Sequence, residues 1–163
     1  MSPAIRPAAP ENGAAIWAIL EPVIRAGETY ALDRDMPRDE ALAYWLGPDR
    51  ASFVAEAEGQ VLGTYYLRAN QAGGGAHVAN CGYATHPAAR GRGVARAMAE
   101  HSFAEARARG FRAMQFNFVV SSNAPAVRLW QALGFETVGR VPDAFDDPAR
   151  GFVDALVLHR RLR

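Results

Sequence analysis

The chain has 163 residues, half of them hydrophobic and 21% charged, with a formal net charge of +1. That is room for one domain with a substantial core, and so small a net charge leaves no global electrostatic case for nucleic acid or an anionic membrane as partner. A single cysteine, Cys81, excludes an internal disulfide; with no signal-like core in residues 1–11 and no apolar run of spanning length, it predicts one soluble, cytoplasmic domain over residues 1–163.

Residues 4–7 read as an edge strand stopped by proline. Glu11 or Asn12 can cap a helix that carries Ile16, Ile19, Leu20, Val23 and Ile24 at helical spacing, breaks near Pro22 and ends at Gly27. Residues 28–35 are polar and aromatic, as in a loop. Pro37 opens a second helix with Leu42, Trp45 and Leu46 along one face and Gly47-Pro48 as its stop. Helices joined by such a loop suit a substrate lid, and equally suit plain packing on a sheet. Residues 52–56 and 61–67 flank Ala57-Glu58-Gly59-Gln60, a hairpin signature, and the glycine-rich stretch 71–75 leads to a third antiparallel strand over 78–85. A helix over 94–109 and a strand over 113–120 follow. Asn123 then caps a helix with Pro125 in its first turn, and strands over 135–141 and 151–159 close the chain around a polar loop with Pro142, Asp146, Asp147 and Pro148. The order βααβββαβαββ predicts an α+β fold around one mixed, mostly antiparallel sheet.

The turn Arg90-Gly91-Arg92-Gly93-Val94-Ala95 lies between a strand and a helix, the order that builds an anion site. Helix-start amides lack internal partners and sit at the positive end of the helix dipole, and two glycines let a ligand approach the backbone. Arg90 and Arg92 add fixed charge, so a diphosphate would fit. By itself a Gly-x-Gly describes a tight turn with two solvated arginines equally well. The chain has no lysine, which excludes a Gly-Lys-Ser/Thr nucleotide loop, and Arg96 stands where a dinucleotide fingerprint needs its third glycine.

The pattern around the turn is more specific. Arg90-x-x-Gly93-x-Ala95 after a strand, then Asn123-x-x-Ala126-x-x-Leu129-Trp130-x-x-Leu133-Gly134-Phe135, resembles the GNAT N-acetyltransferase superfamily. The first motif matches that family's cradle for the coenzyme A diphosphate. The second matches its Asn-x-x-Ala-x-x-Leu-Tyr-x-x-x-Gly-Phe, with Trp130 in the place of tyrosine. The resemblance implies a GNAT-like domain in which strands 78–85 and 113–120 splay apart, one of them bulged, flanked by helices. It implies acetyl-CoA as co-substrate without a metal, a small-molecule amine as acceptor, and the homodimer common in the family. Cofactor contacts would come from Tyr83 and Thr85 on the strand, from Arg90, Gly91, Arg92, Gly93, Val94 and Ala95 in the turn, and from Asn123, Ala126 and Trp130 downstream.

Direct attack of an amine on a thioester needs a neutral amine, a polarised carbonyl and a leaving thiolate. Neither central strand carries a carboxylate, so a strand-borne general base is missing; Glu28 and Asp154 are the nearest by topology, and Asp154 between apolar neighbours is expected either to face the core or to serve as a structural hydrogen-bonding carboxylate. The four histidines lack metal spacing, and Cys81 has no activating context. Trp130 cannot donate the proton that a tyrosine gives; Tyr30, Tyr65 and Tyr83 are the substitutes, with nothing to choose among them. Asn80 and Asn117 are unusual inside strands. An amide can accept a substrate N–H and bind a carboxylate, and Asn80 … Asn117 … Asn123 resembles the branch of the family that acetylates proline analogues such as azetidine-2-carboxylate. Alternatively both amides satisfy backbone at a bulge or splayed edge. An amino or imino acid is the expected acceptor. Antibiotic, polyamine or protein N-terminal acetylation, and a catalytically silent CoA-binding module, are the competing readings.

Overall fold

Glu58 and Gly59 both adopt left-handed backbone (φ 54° and 76°), the turn that lets β2 (Ala51–Ala57) and β3 (Gln60–Ala69) fold back on each other with matched twist. In a computed structural model, which describes residues 2–163, this hairpin seeds a seven-stranded sheet in the order β1-β2-β3-β4-β5-β7-β6. Strand β1 (Ala4–Pro7) is one edge, β4 (Val78–Thr85) and β5 (Ala113–Val120) form the centre, and β6 (Glu136–Asp147) with β7 (Gly151–Arg161) make the far side. Every pairing is antiparallel except that of β4 with β5. The fold is α+β, in the expected element order.

Helices α1 (Gly13–Ala26) and α2 (Arg38–Trp45) cover one face; α3 (Val94–Ala108) and α4 (Ala124–Ala132) cover the other. The alternation of each strand feeds two cores. Ile16, Ile19, Leu20, Ile24 and Trp45 pack with Val54, Tyr66 and Ala84 under α1 and α2, whereas Tyr65, Leu67, Cys81, Met98, Phe103, Phe116 and Trp130 pack under α3 and α4. Strand period and helix period therefore agree on which residues turn inward.

Three local expectations change. Helix α1 runs through Pro22 to Ala26 and does not break there. Losing one helical bond to an exposed proline costs about 3 kcal/mol, and burying four aliphatic side chains at about 1.5–3 kcal/mol each outweighs it. The side chain of Asn12 accepts from Ala9 N (2.8 Å), capping the preceding 3-10 turn and not α1 itself. Strand β6 continues past Pro142 to Asp147, because a register shift between Val141 and Phe145, with Asp143 at φ 48°, takes the proline out of the ladder.

Candidate active site

Strands β4 and β5 pair only at Val78↔Ala113 and Ala79↔Met114 and then diverge. Two features hold them apart. Asn80 Nδ2 donates to Gln115 O (2.9 Å) at the point where the ladder ends, replacing a main-chain bond with a longer side-chain one. On β5 the register against β7 jumps from Phe116↔Leu158 to Val119↔Leu156, so Asn117 and Phe118 together oppose one residue. This bulge bends β5 away. Between β3 and β4 the register is unbroken, so the irregular strand of the pair is β5.

The open edge of β4 is a row of main-chain groups without a strand partner. Asn70 N bonds Val78 O (2.8 Å) and His86 N bonds Leu62 O (2.7 Å), which with the register turns the even-numbered residues of β4 toward β3. The N–H and C=O of Cys81, Tyr83 and Thr85 therefore face the gap. Their side chains point under α3: the Tyr83 hydroxyl bonds Ser102 Oγ (2.6 Å), which donates on to Ala99 O (2.6 Å). Burial pushes the Cys81 thiol up to about 12, so it is inert at neutral pH.

The gap opens into a hollow of about 450 Å³. On the α3–α4 side it is lined by Tyr83, Thr85, Ala95, Asn123, Ala126 and Trp130; on the α1–α2 side by residues 29–32, Tyr44, Tyr66, Arg68, Asn80 and Asn117. Trp130 is wedged between Tyr83 and Phe116, with centroids at 5.0 and 4.7 Å, as a packing residue would be. Asn123 caps α4, its Oδ1 accepting from Ala126 N (3.4 Å). Asn80 and Asn117 line the same hollow without bonding each other. Asn117 donates to Asn70 Oδ1 (2.6 Å) and accepts from Gln115 Nε2 (3.0 Å), and Asn80 Oδ1 lies 3.5 Å from Arg68 Nε.

Arg90, Gly91, Arg92 and Gly93 do not line this hollow; they form the exposed turn beyond its α3 end. Gly91 and Gly93 take φ of 77° and 78°, and a Cβ at either would meet no protein atom within 4 Å. The first helical bond of α3 runs from Ala97 N to Gly93 O (3.0 Å), which leaves the preceding amides directed outward. The Val94 side chain is buried, so only its amide is offered.

Two expected carboxylates are elsewhere. Asp154 is held by Arg140 Nη1 and by Asp143 N (3.0 Å) on the outer hairpin; the arginine hydrogen bond draws its pKa below the usual range, and it does not reach the core or the hollow. Glu28 does not line the hollow either. The residues that sequence reasoning passed over are Arg68, Tyr44 and Tyr66. No motif marks them, although Tyr66 and Arg68 stand two apart on β3 and so share a face.

A splayed sheet with a main-chain donor row, leading to an open helix N-terminus, is the architecture of an acyl carrier-dependent transferase. The acetyltransferase (GNAT) family model matches residues 17–135, and the chain belongs to that family. It is similar to the N-acetyltransferase aca1 of Schizosaccharomyces pombe, 29% identical over 151 residues, covering 82% of this chain and 72% of that protein. The structure of a GCN5-related N-acetyltransferase from Kribbella flavida superposes with a TM-score of 0.93 at 41% identity over 98% of each chain. A phosphinothricin acetyltransferase from Sinorhizobium meliloti, solved with acetyl-CoA, shares the fold at TM-score 0.86 and 22% identity, covering 99% of this chain and 89% of that one. The protein is an acetyl-CoA-dependent N-acetyltransferase.

Proposed function

We propose that the acceptor is a small amine bearing a carboxylate, an amino or imino acid. The observation that carries this reading is the charge of the hollow: Arg68 is its one charged lining residue among those described, and no Asp, Glu or His lines it. A polyamine or aminoglycoside would need acidic partners there. Arg68 is only loosely engaged, 4.0 Å from Asp49 Oδ2 and 3.5 Å from Asn80 Oδ1, so its guanidinium is available for a planar carboxylate. The Asn80 amide beside it has a second hydrogen to offer.

The cleft fits acetyl-CoA by two features of this chain, the outward amides and bare glycines at the start of α3 and the row of gap-facing N–H groups on β4. Acetyl-CoA supplies the acyl group activated as a thioester. Amides from Gly93 to Arg96, with Arg90 and Arg92, would hold the diphosphate. The N–H groups of Cys81, Tyr83 and Thr85 are the donors placed to polarise an acyl oxygen without side-chain rearrangement. Arg68 and Asn80 would orient the carboxylate so that the nitrogen points at the gap. The apolar walls favour the neutral amine over the ammonium, and with no titrating base in the lining the proton passes to solvent.

The test is a thiol-release assay over a paired panel: azetidine-2-carboxylate, proline and open-chain amino acids beside the same amines without the carboxylate, plus polyamines. Arg68→Met keeps the aliphatic stem and removes the charge. It should lower kcat/KM for carboxylate acceptors by about 1.5–3 kcal/mol, the range of a charge-assisted hydrogen bond, and leave the decarboxylated amines unchanged. Equal losses on both halves of the panel would remove the assignment. Silence on every amine with CoA still bound would point to a binding module.

A further inference from the structure

Residues 27–35 form the outer wall of the acceptor half of the hollow, through Thr29, Tyr30, Ala31 and Leu32. The loop is closed on itself at its base, where Arg34 Nε donates to Arg25 O (2.9 Å) and Arg25 Nη1 to Arg34 O, and Gly27 turns it with φ 65°. Its ties to the sheet are few. Among the described residues one hydrogen bond joins it there: the Tyr30 hydroxyl donates to Tyr83 O. That carbonyl is one of the groups of β4 that face the gap. The ring above it meets Trp45 edge-on at 6.0 Å, and Trp45 is fixed in turn by Nε1 donating to Thr64 Oγ1 (2.9 Å).

We infer that Tyr30 is the positioning residue of the acceptor site, a latch whose hydroxyl pins the 27–35 loop onto the edge of β4 beside the reacting groups. The bond places one wall of the acceptor site in register with the strand that offers the acyl-polarising amides, so the distance between acceptor and acyl group is set by a contact between them. A carbonyl oxygen has two lone pairs, so Tyr83 O can hold Tyr30 and still accept from a ligand in the gap. Opening the latch removes the loop's polar tie to β4, and lifting Tyr30 and Leu32 off the α1–α2 core is then the route by which an acceptor enters and product leaves. Tyr44, Tyr66 and Cys81 are the titratable groups around Tyr30, and burial holds its hydroxyl well above its ordinary value. The latch therefore stays protonated, and its strength does not change across the neutral range.

The inference rests on the acyl-transfer reading for its kinetic test, and a second readout is independent of that reading. Tyr30→Phe keeps the ring on Trp45 and deletes only the donor. The expected result is a KM for the acceptor raised about tenfold, the loss of one ordinary hydrogen bond, with a smaller fall in kcat as the loosened wall places the amine less well, and with CoA affinity and the shape of the pH profile unchanged. Amide hydrogen exchange at Met36, whose N–H closes the end of this loop on Asp33 O (3.0 Å), measured on the enzyme without ligands, should quicken about tenfold while the core strands stay protected. Unchanged exchange and unchanged KM would overturn the latch. So would a fall in kcat at constant KM, which would put the hydroxyl on the reacting atoms. Faster exchange in a protein that acetylates no amine would keep the latch and remove the acyl-transfer setting.

Discussion

A single missing side chain shapes the α1–α2 wall of the hollow. Gly82 lies on β4 directly under Tyr66, and a Cβ there would fall 2.4 Å from Tyr66 Cε2 and 2.7 Å from Cζ. Tyr66 cannot yield easily. It is packed edge-on against Trp45 at 4.9 Å and Tyr44 at 6.0 Å, and the Arg50 guanidinium lies 4.7 Å from its ring. Gly82→Ala should therefore overpack the site, lowering stability by about 1–3 kcal/mol and raising the acceptor KM, since Tyr66 lines the hollow beside Arg68. Thermal melts alongside steady-state kinetics check this; a variant with wild-type Tm and KM would mean that the ring has room to move. Nothing in the sequence marks Gly82 as different from the chain's other glycines, because the constraint comes from a tyrosine sixteen positions away. Asn80 was conspicuous as an asparagine within a strand, yet its tie to Gln115 O, which holds the splay open, depends on which strand lies beside it.

At the scale of an element, the start of α3 is where local sequence says most. Glycines at 91 and 93, each with positive φ, make the turn between the 3-10 segment Pro87–Ala89 and α3, and that requirement is local. Gly93 adopts φ 78° with open space where a Cβ would project. Gly93→Val should cost about 1–2 kcal/mol in backbone strain and, more importantly, place a branched side chain where the diphosphate would approach. Calorimetric titration should show CoA affinity falling well beyond tenfold with a modest drop in Tm, and Gly93→Ala should separate strain from obstruction by an intermediate loss. Wild-type CoA affinity in the valine variant would disconnect this turn from the cofactor. Pro22 shows the reverse case. A local rule broke α1 near the proline, and the packing of its buried face carried the helix through to the stop at Gly27.

Across the whole molecule, Asp147 joins parts that are distant in sequence. It is 3% exposed at the end of β6 and accepts from Ser122 Oγ (2.7 Å) in the turn after β5, and from Ala149 N (2.9 Å) and Arg150 N (3.2 Å) in its own hairpin. The Ser122 hydrogen bond leads in drawing its pKa below the ordinary carboxylate value. A carboxylate whose folded pKa is depressed stabilises the fold fully above its unfolded value of about 3.9 and loses that contribution as pH falls through the lower folded one. Asp147→Asn should thus reduce Tm at neutral pH and flatten its decline in acid below about pH 4. Parallel acid limbs for the two proteins would show that the group does not contribute. No helix among the described residues is long and apolar enough to cross a membrane.

The sequence by itself determined the order of elements, the α+β class and the glycine turn before α3, because these depend on periodicity, capping and glycine placement within short windows, and the resemblance of its two motifs pointed to the family. Only the tertiary structure decided how the α1–α2 side of the hollow is made. Arg68 and Tyr66 come from β3, Tyr30 from the loop after α1, Asn80 and Gly82 from β4 and Asn117 from a bulge on β5. Residues brought together from four segments leave no fixed spacing in the chain. Their charge balance, the hydroxyl on Tyr83 O and the removal of Asp154 to an outer ion pair are properties of distances between strands, which no local pattern encodes.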